Sequence, residues 1–265
     1  MLRSLKDFEG YTIAATDGEV GKVVDFLLDD AQWIVRYLVV QAGGPMFLDG
    51  RKVLISPISF RQADESTKHF HLALTMEKIT SSPSIDVDKP VSRQHEMGYF
   101  RHFGYPYYWA NAGVLGMVSY PGSLGPGRWT DARPEPAEEH GDVHLRSASE
   151  LRGYHIQGSD DAIGHVEDFV VDDASWEIRY LVVDTSNWWF GKKVLVAPHW
   201  ATRISGSESK VHVDMSRDAI KQSPEWDASM VIDRAYESRL YDYYGRPVYW
   251  EDGLRAAPRE KPFGK

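Results

Sequence analysis

The sequence predicts a mainly β protein with short helices, written as two tandem copies of one small β unit. Three observations predict it. "VVDFLLDDAQWIVRYLVV" (Val23–Val40) returns 143 positions later as "VEDFVVDDASWEIRYLVV" (Val166–Val183). Short β-branched and aromatic runs alternate with Gly- and Asp-rich turns, the pattern of strands in a small barrel or sandwich. At the end of each copy the pattern turns helical and aromatic.

The duplication fixes the organisation. Gly10–Val40 aligns without gaps on Gly153–Val183 with 17 identities in 31 positions, where chance gives about two. Leu2-Arg3-Ser4 recurs as Leu145-Arg146-Ser147, "RKVLISP" (Arg51–Pro57) as "KKVLVAP" (Lys192–Pro198), and "YFRHFGYPYYW" (Tyr99–Trp109) as "LYDYYGRPVYW" (Leu240–Trp250). A repeat this long is a duplicated domain, not a solenoid unit of about 20–50 residues. The predicted domains are residues 1–109 and 145–250. Between them, residues 110–144 form a Gly/Pro-rich linker, and residues 251–265 a polar tail.

Taken in order, Tyr11–Ala14 is a first strand, and "TDGEVG" a turn. Lys22–Leu28 is a second strand. "DDAQW" turns the chain, because aspartate bonds its own backbone and tolerates turn conformations. Val35–Val40 is a β-branched strand, and Lys52–Ser56, Ser59–Gln62 and His69–Leu74 complete about six. "TMEKI" and "SRDAI" are short helical turns with Thr75 and Ser216 as N-caps. "SRQHEMGYFRHFG" and "DRAYESRLYDYYG" are helical. Asp233 caps the second, Gly245 ends it, and Pro247 forbids its continuation.

Composition bounds the function. The chain has 265 residues, a formal net charge of −9 and no cysteine. Disulfides and thiolate chemistry are therefore excluded, and a cytoplasmic location is expected. An acidic chain disfavours general nucleic-acid binding. No apolar run of about 18 residues marks a membrane span, and "MLRSLKDFEG" lacks the apolar core of a secretory signal. No GxSxG, HExxH, P-loop or GxGxxG pattern occurs. A non-enzymatic protein without cofactor or metal is expected.

Two sets of side chains stand out. Asp25, Asp29 and Arg36 recur as Asp168, Asp172 and Arg179. Their spacing does not match a calcium loop, and structural ion pairs are the favoured reading. Alternation places Arg36 with Leu38 and Val40, opposite Val35, Tyr37 and Val39. Trp188, Trp189 and Phe190 are consecutive, so they cannot all face one core, and they are the candidate partner surface. The second copy holds 12 basic and 17 acidic residues over 143–250, against 12 and 14 over 1–120. That charge and the extra tryptophans centre the expected partner surface on it. His69 and His71 share a strand face, but Lys210 replaces His69 in the second copy. They are expected at the surface or packed, not on a metal.

The stretch "GYHIQGSDDAIGHVEDFVVDDASWEIRYLVVDTSNWWFGKKVLVAP" resembles the PRC-barrel family, which takes its name from the C-terminal barrel of the photosynthetic reaction-centre H subunit. The family also includes the C-terminal domain of a bacterial ribosome-maturation factor. The likeness extends to bacterial proteins carrying two such barrels, including the "YDYYGRPVYW" ending. It implies two tandem small antiparallel β-barrels, each followed by a short helical, aromatic-rich segment. It also implies an assembly and binding module and not an enzyme. The copies are expected to pair within the chain as a pseudo-two-fold dimer, and the same surfaces allow a homo-oligomer. The expected function is an adaptor for a protein partner, without membrane insertion. Alternatives are an accessory factor of a photosynthetic reaction-centre or electron-transport complex, and a factor in RNA handling or ribosome maturation.

Overall fold

The computed structural model describes residues 1–43, 50–83, 93–105, 144–185 and 191–250. Mainly β, with a few short helices, they form two seven-stranded mixed sheets. The chain divides into two units. The first comprises Met1, Arg3–Arg152 and Val171–Ile178, the second Leu2, Gly153–Val170 and Arg179–Lys265.

The first unit's strands are β2 (Thr12–Ala15), β3 (Gly18–Asp29), β4 (Ile34–Ala42), β5 (Lys52–Ile55), β6 (Phe60–Asp64) and β7 (His69–Leu72). They lie in the order β5-β4-β3-β2-β7-β6, and β8 (Leu145–Ser147) pairs antiparallel with β3. The short helix α3 (Ala148–Leu151) follows β8 directly. The opening of the second copy is thus built into the first unit.

In the second unit the strands are β9 (His155–Gln157), β10 (Ala162–Asp172), β11 (Ile178–Asp184), β12 (Lys193–Val196), β13 (Ala201–Ser205) and β14 (Lys210–Val213). Their order is β12-β11-β10-β9-β14-β13, and β1 (Leu2–Ser4) brings Leu2 alongside β10. The two copies therefore share one strand order.

Each sheet departs from the expected antiparallel barrel. β2 pairs parallel with β7, and β9 with β14. More than fifty residues separate the members of each pair, long enough for the crossover that a parallel pair needs. Among the described residues the end strands β5 and β6 do not pair with each other, nor do β12 and β13, so no closed barrel is formed.

β4 is buried along almost its whole length, which requires cover on both faces. Helix α2 (Arg93–Phe103) supplies it on the Tyr37 side, with Tyr99 packed edge-on against Tyr37 at 5.3 Å. The Tyr99 hydroxyl donates to the Leu54 carbonyl and accepts from the Ser56 N–H. In the second unit α5 (Arg234–Tyr244) buries Tyr236, Leu240 and Tyr241. Trp200 meets Tyr241 and Tyr244 at 5.3 and 4.8 Å. The caps follow the sequence: Thr75 caps α1 (Met76–Thr80), Ser216 caps α4 (Arg217–Gln222), and Asp233 caps α5, which ends on a left-handed Gly245.

Candidate functional site

The first unit holds an open cleft of about 230 Å3. Its wall is aromatic: Phe8, Phe60, Phe70 and Trp176, with Arg3 and Arg61 on the rim. Phe60 stacks on Phe70 at 4.8 Å with the rings 3° from parallel. Trp176 lies 5.4 to 5.8 Å from Phe60, Phe8 and Phe70.

Local folding sets these side chains. Phe8 ends the 3-10 turn Leu5–Phe8. Phe70 is central in β7, buried between the rings of Tyr11 and Phe60. The register of β6 shifts between Phe60 and Gln62, and a bulge of this kind re-aims successive side chains. Phe60 and Arg61 both line the cleft as a result. Trp176 sits in the left-handed region at φ 63, and its N–H donates to the Asp172 carbonyl at 2.7 Å. The strained turn drives the indole inward, where it is 4% exposed.

The two rim arginines differ. Arg3 lies over the Phe8 ring at 4.6 Å, donates to Glu65 at 2.6 Å and to the Tyr11 hydroxyl at 3.2 Å. Arg61 is exposed, and no hydrogen bond or ion pair engages it among the described residues. Asp173, also at the cleft, is held by the Met1 amino group.

The ion-pair candidates form a separate, buried frame. Arg36 pairs with Asp29, and its other terminal nitrogen lies 3.4 Å from Glu96 of α2. Tyr37 donates to the same Glu96 oxygen at 2.9 Å. Leu27 faces Tyr37 and Leu28 faces Val35, so the register skips Arg36. That bulge turns Arg36 to the side of Tyr37, against the alternation expected from sequence. Asp29 also closes the turn, accepting from the N–H groups of Ala31 and Gln32.

Asp25 is not joined to Arg36. Its carboxylate accepts from the Ser149 N–H at 3.0 Å, the Ser147 hydroxyl and the Ser149 hydroxyl. It thereby fixes β8 and α3 to β3. Asp168 is buried on β10. The Asp172 carboxylate accepts from the Ala174 N–H at 3.1 Å. In the second unit Arg179 lies over the Tyr249 ring at 4.4 Å. Glu237 takes the place of Glu96: it accepts from Tyr180 at 2.8 Å and Tyr249 at 2.9 Å, and pairs with Arg234 at 3.0 Å. Burial pushes the Tyr180 hydroxyl far above its ordinary range, with the Tyr241 hydroxyl and the Glu237 charge adding to it. Arg234 covers the Trp250 ring at 4.0 Å, pinning the "GRPVYW" ending back onto α5.

Trp188, Trp189 and Phe190 lie outside the described residues. His69 donates from Nδ1 to the Thr67 carbonyl at 2.7 Å and stacks near His71 at 6.0 Å between ring centres. Among the described residues no group of three His, Asp or Glu side chains could hold a metal ion. Sequence reasoning missed Glu96 and Glu237, although they occupy one repeat position ("EMGYF", "ESRLY"). It also missed the cleft, whose signal is a difference between the copies.

Two mixed, seven-stranded sheets define a β-rich protein of duplicated topology. Residues 144–220 match the PRC-barrel domain, a general binding and assembly module. No curated protein matches the chain.

Proposed function

We propose that the protein is a non-enzymatic binding and assembly module made of two PRC-barrel-like repeats. The carrying observation is the match of residues 144–220 to a domain of that use. The shared strand order of the two sheets supports extending the reading to the first copy. The buried Arg36 and Glu237 frames support a structural role for the charged residues, because their carboxylates are spent on partners within each unit. Among the described residues no helix is long and apolar enough to cross a membrane. Trp188, Trp189 and Phe190 are the proposed partner surface.

The test is a pull-down of the tagged chain from its native cells, with and without nuclease, read by mass spectrometry. A stable, nuclease-resistant partner set that is lost when Trp188 and Trp189 are replaced by Ala is expected. Absence of any specific partner would overturn the reading.

A further inference from the structure

We propose that the turn tips Trp33–Val35 and Trp176–Ile178 form a self-complementary pairing seam, and that Glu177 bars the like tip of a second chain from it. This goes beyond the assembly reading and does not depend on it.

The two turns read almost alike, DDAQWIVRY from Asp29 and DDASWEIRY from Asp172, with six of nine residues identical. Each closes by the same bond. The Trp33 N–H donates to the Asp29 carbonyl and the Trp176 N–H to that of Asp172, both at 2.7 Å. Both tryptophans are left-handed, at φ 56 and 63. Within the first unit the tips pair antiparallel, with Ile34 opposite Glu177. The Val35 N–H donates to the Trp176 carbonyl at 2.9 Å, and the Ile178 N–H to the Trp33 carbonyl at 2.7 Å. Val35 and Ile178 are one repeat position, and Trp33 and Trp176 another. Each bond is thus the repeat image of the other, the mark of an isologous contact.

An isologous backbone contact does not distinguish its partners. Replacing one tip by its repeat image keeps both bonds, so first tip on first tip, or second on second, from two chains builds the same seam. Residues 106–143 have a contour of up to roughly 125 Å, so their length does not select the partner. With both like pairings open, chains would join tip to tip without closing. The side chains at the centre break this equivalence. The two bonds flank Ile34 and Glu177 and make them a non-hydrogen-bonded pair, whose Cα atoms approach to about 4.5 Å. In a like pairing each residue faces itself. Ile34 is buried, and a second Ile34 opposite it is an apolar contact. Glu177 is half-buried, with the Ser175 hydroxyl 3.4 Å from its carboxylate. A second Glu177 sets two carboxylates directly opposite, which is destabilising. The second tip therefore takes a first tip, and the one in its own chain is held at about millimolar concentration.

The test refolds the full chain from urea at about 5 and about 300 µM, the higher value approaching the tethered concentration. Light scattering then reads the mass. At the lower concentration wild type, Glu177→Gln and Glu177→Lys are all expected as monomers. At the higher, Glu177→Gln removes the charge without adding apolar surface, and at least about threefold more multimer than wild type is expected. Glu177→Lys restores a like charge and is expected to match wild type. Salt at about 1 M screens the carboxylates and should raise the wild-type multimer, a measurement that needs no variant to fold. A thiol locates the contact, because the chain has no cysteine. Glu177→Cys multimers are expected to become linked on oxidation. Those of Glu177→Gln with Ser66→Cys, in the exposed β6–β7 turn, are expected to stay unlinked. Wild-type multimer unmoved by salt would overturn the proposal. So would equal multimer in wild type and a folded Glu177→Gln, or in Glu177→Gln and Glu177→Lys, or equal linking by the two thiols. None of these changes touches Trp188 or Trp189, so the pull-down and the refolding fail separately.

Discussion

Arg36 shows how one buried charge decides a local structure. It lies in the most apolar strand of the first unit and is 4% exposed. A guanidinium there is tolerable only when surrounded by acceptors. Asp29 comes from seven residues away and Glu96 from sixty. Removing Glu96 leaves the charge half-compensated and strips Tyr37 of its acceptor. Glu96→Ala is therefore expected to cost about 3–5 kcal/mol in urea unfolding, and Glu96→Gln less, since the amide oxygen still accepts from Tyr37. Asp64 gives a titration that needs no unfolding. The Ser66 hydroxyl at 2.7 Å, with the Ser66 and Thr67 N–H groups, lowers its carboxyl from 3.8 to about 2. A depressed carboxyl stabilises the fold above its unfolded value, and the effect is lost as pH falls from about 4 through about 2. Side-chain NMR is expected to place the midpoint near 2, and Ser66→Ala to raise it.

At the scale of elements, two glycines carry opposite burdens. Gly245 ends α5 in the left-handed region at φ 59 with open space around it. Gly245→Ala is expected to cost about 1 kcal/mol, from strain alone. At Gly21 a Cβ would overlap the Gln41 carbonyl of the neighbouring strand, and at Gly164 that of Asp184. Gly21→Ala must push β3 and β4 apart, so its cost should exceed that of Gly245→Ala in the same urea measurement. Both sets of elements were readable from sequence because caps, turns and β-branched runs are local signals. Thr75, Ser216, Asp233 and the Asp29–Trp33 turn all act where their residue types suggest. Pairing across distance was not readable. Nothing in Thr12–Ala15 states that it lies parallel to His69–Leu72, nor in Leu145–Ser147 that it borders β3. The bulge at Arg36 was hidden for the same reason, since it arises from the partner strand's register. Glu96 and the cleft became visible only when the copies were compared position by position within the folded sheets.

On the scale of the whole molecule, the units and the copies do not coincide. The first unit takes Leu145–Arg152 and Val171–Ile178 from the second copy. Trp176 is its contribution to the aromatic cluster, and Trp176→Ala is expected to destabilise the first unit by about 3–5 kcal/mol. The fragment of residues 1–143 lacks β8, α3 and Trp176. It should bind a hydrophobic dye and show poor NMR dispersion, whereas an independent domain would give a sharp spectrum. The same borrowing bears on synthesis. Many multidomain chains fold their first domain while the rest is still being made. Here the first unit waits for Ile178 to leave the ribosome. Its rings Phe8, Phe60 and Phe70 are expected to lack their Trp176 neighbour until then, while the residues between Phe70 and Ile178 are being added.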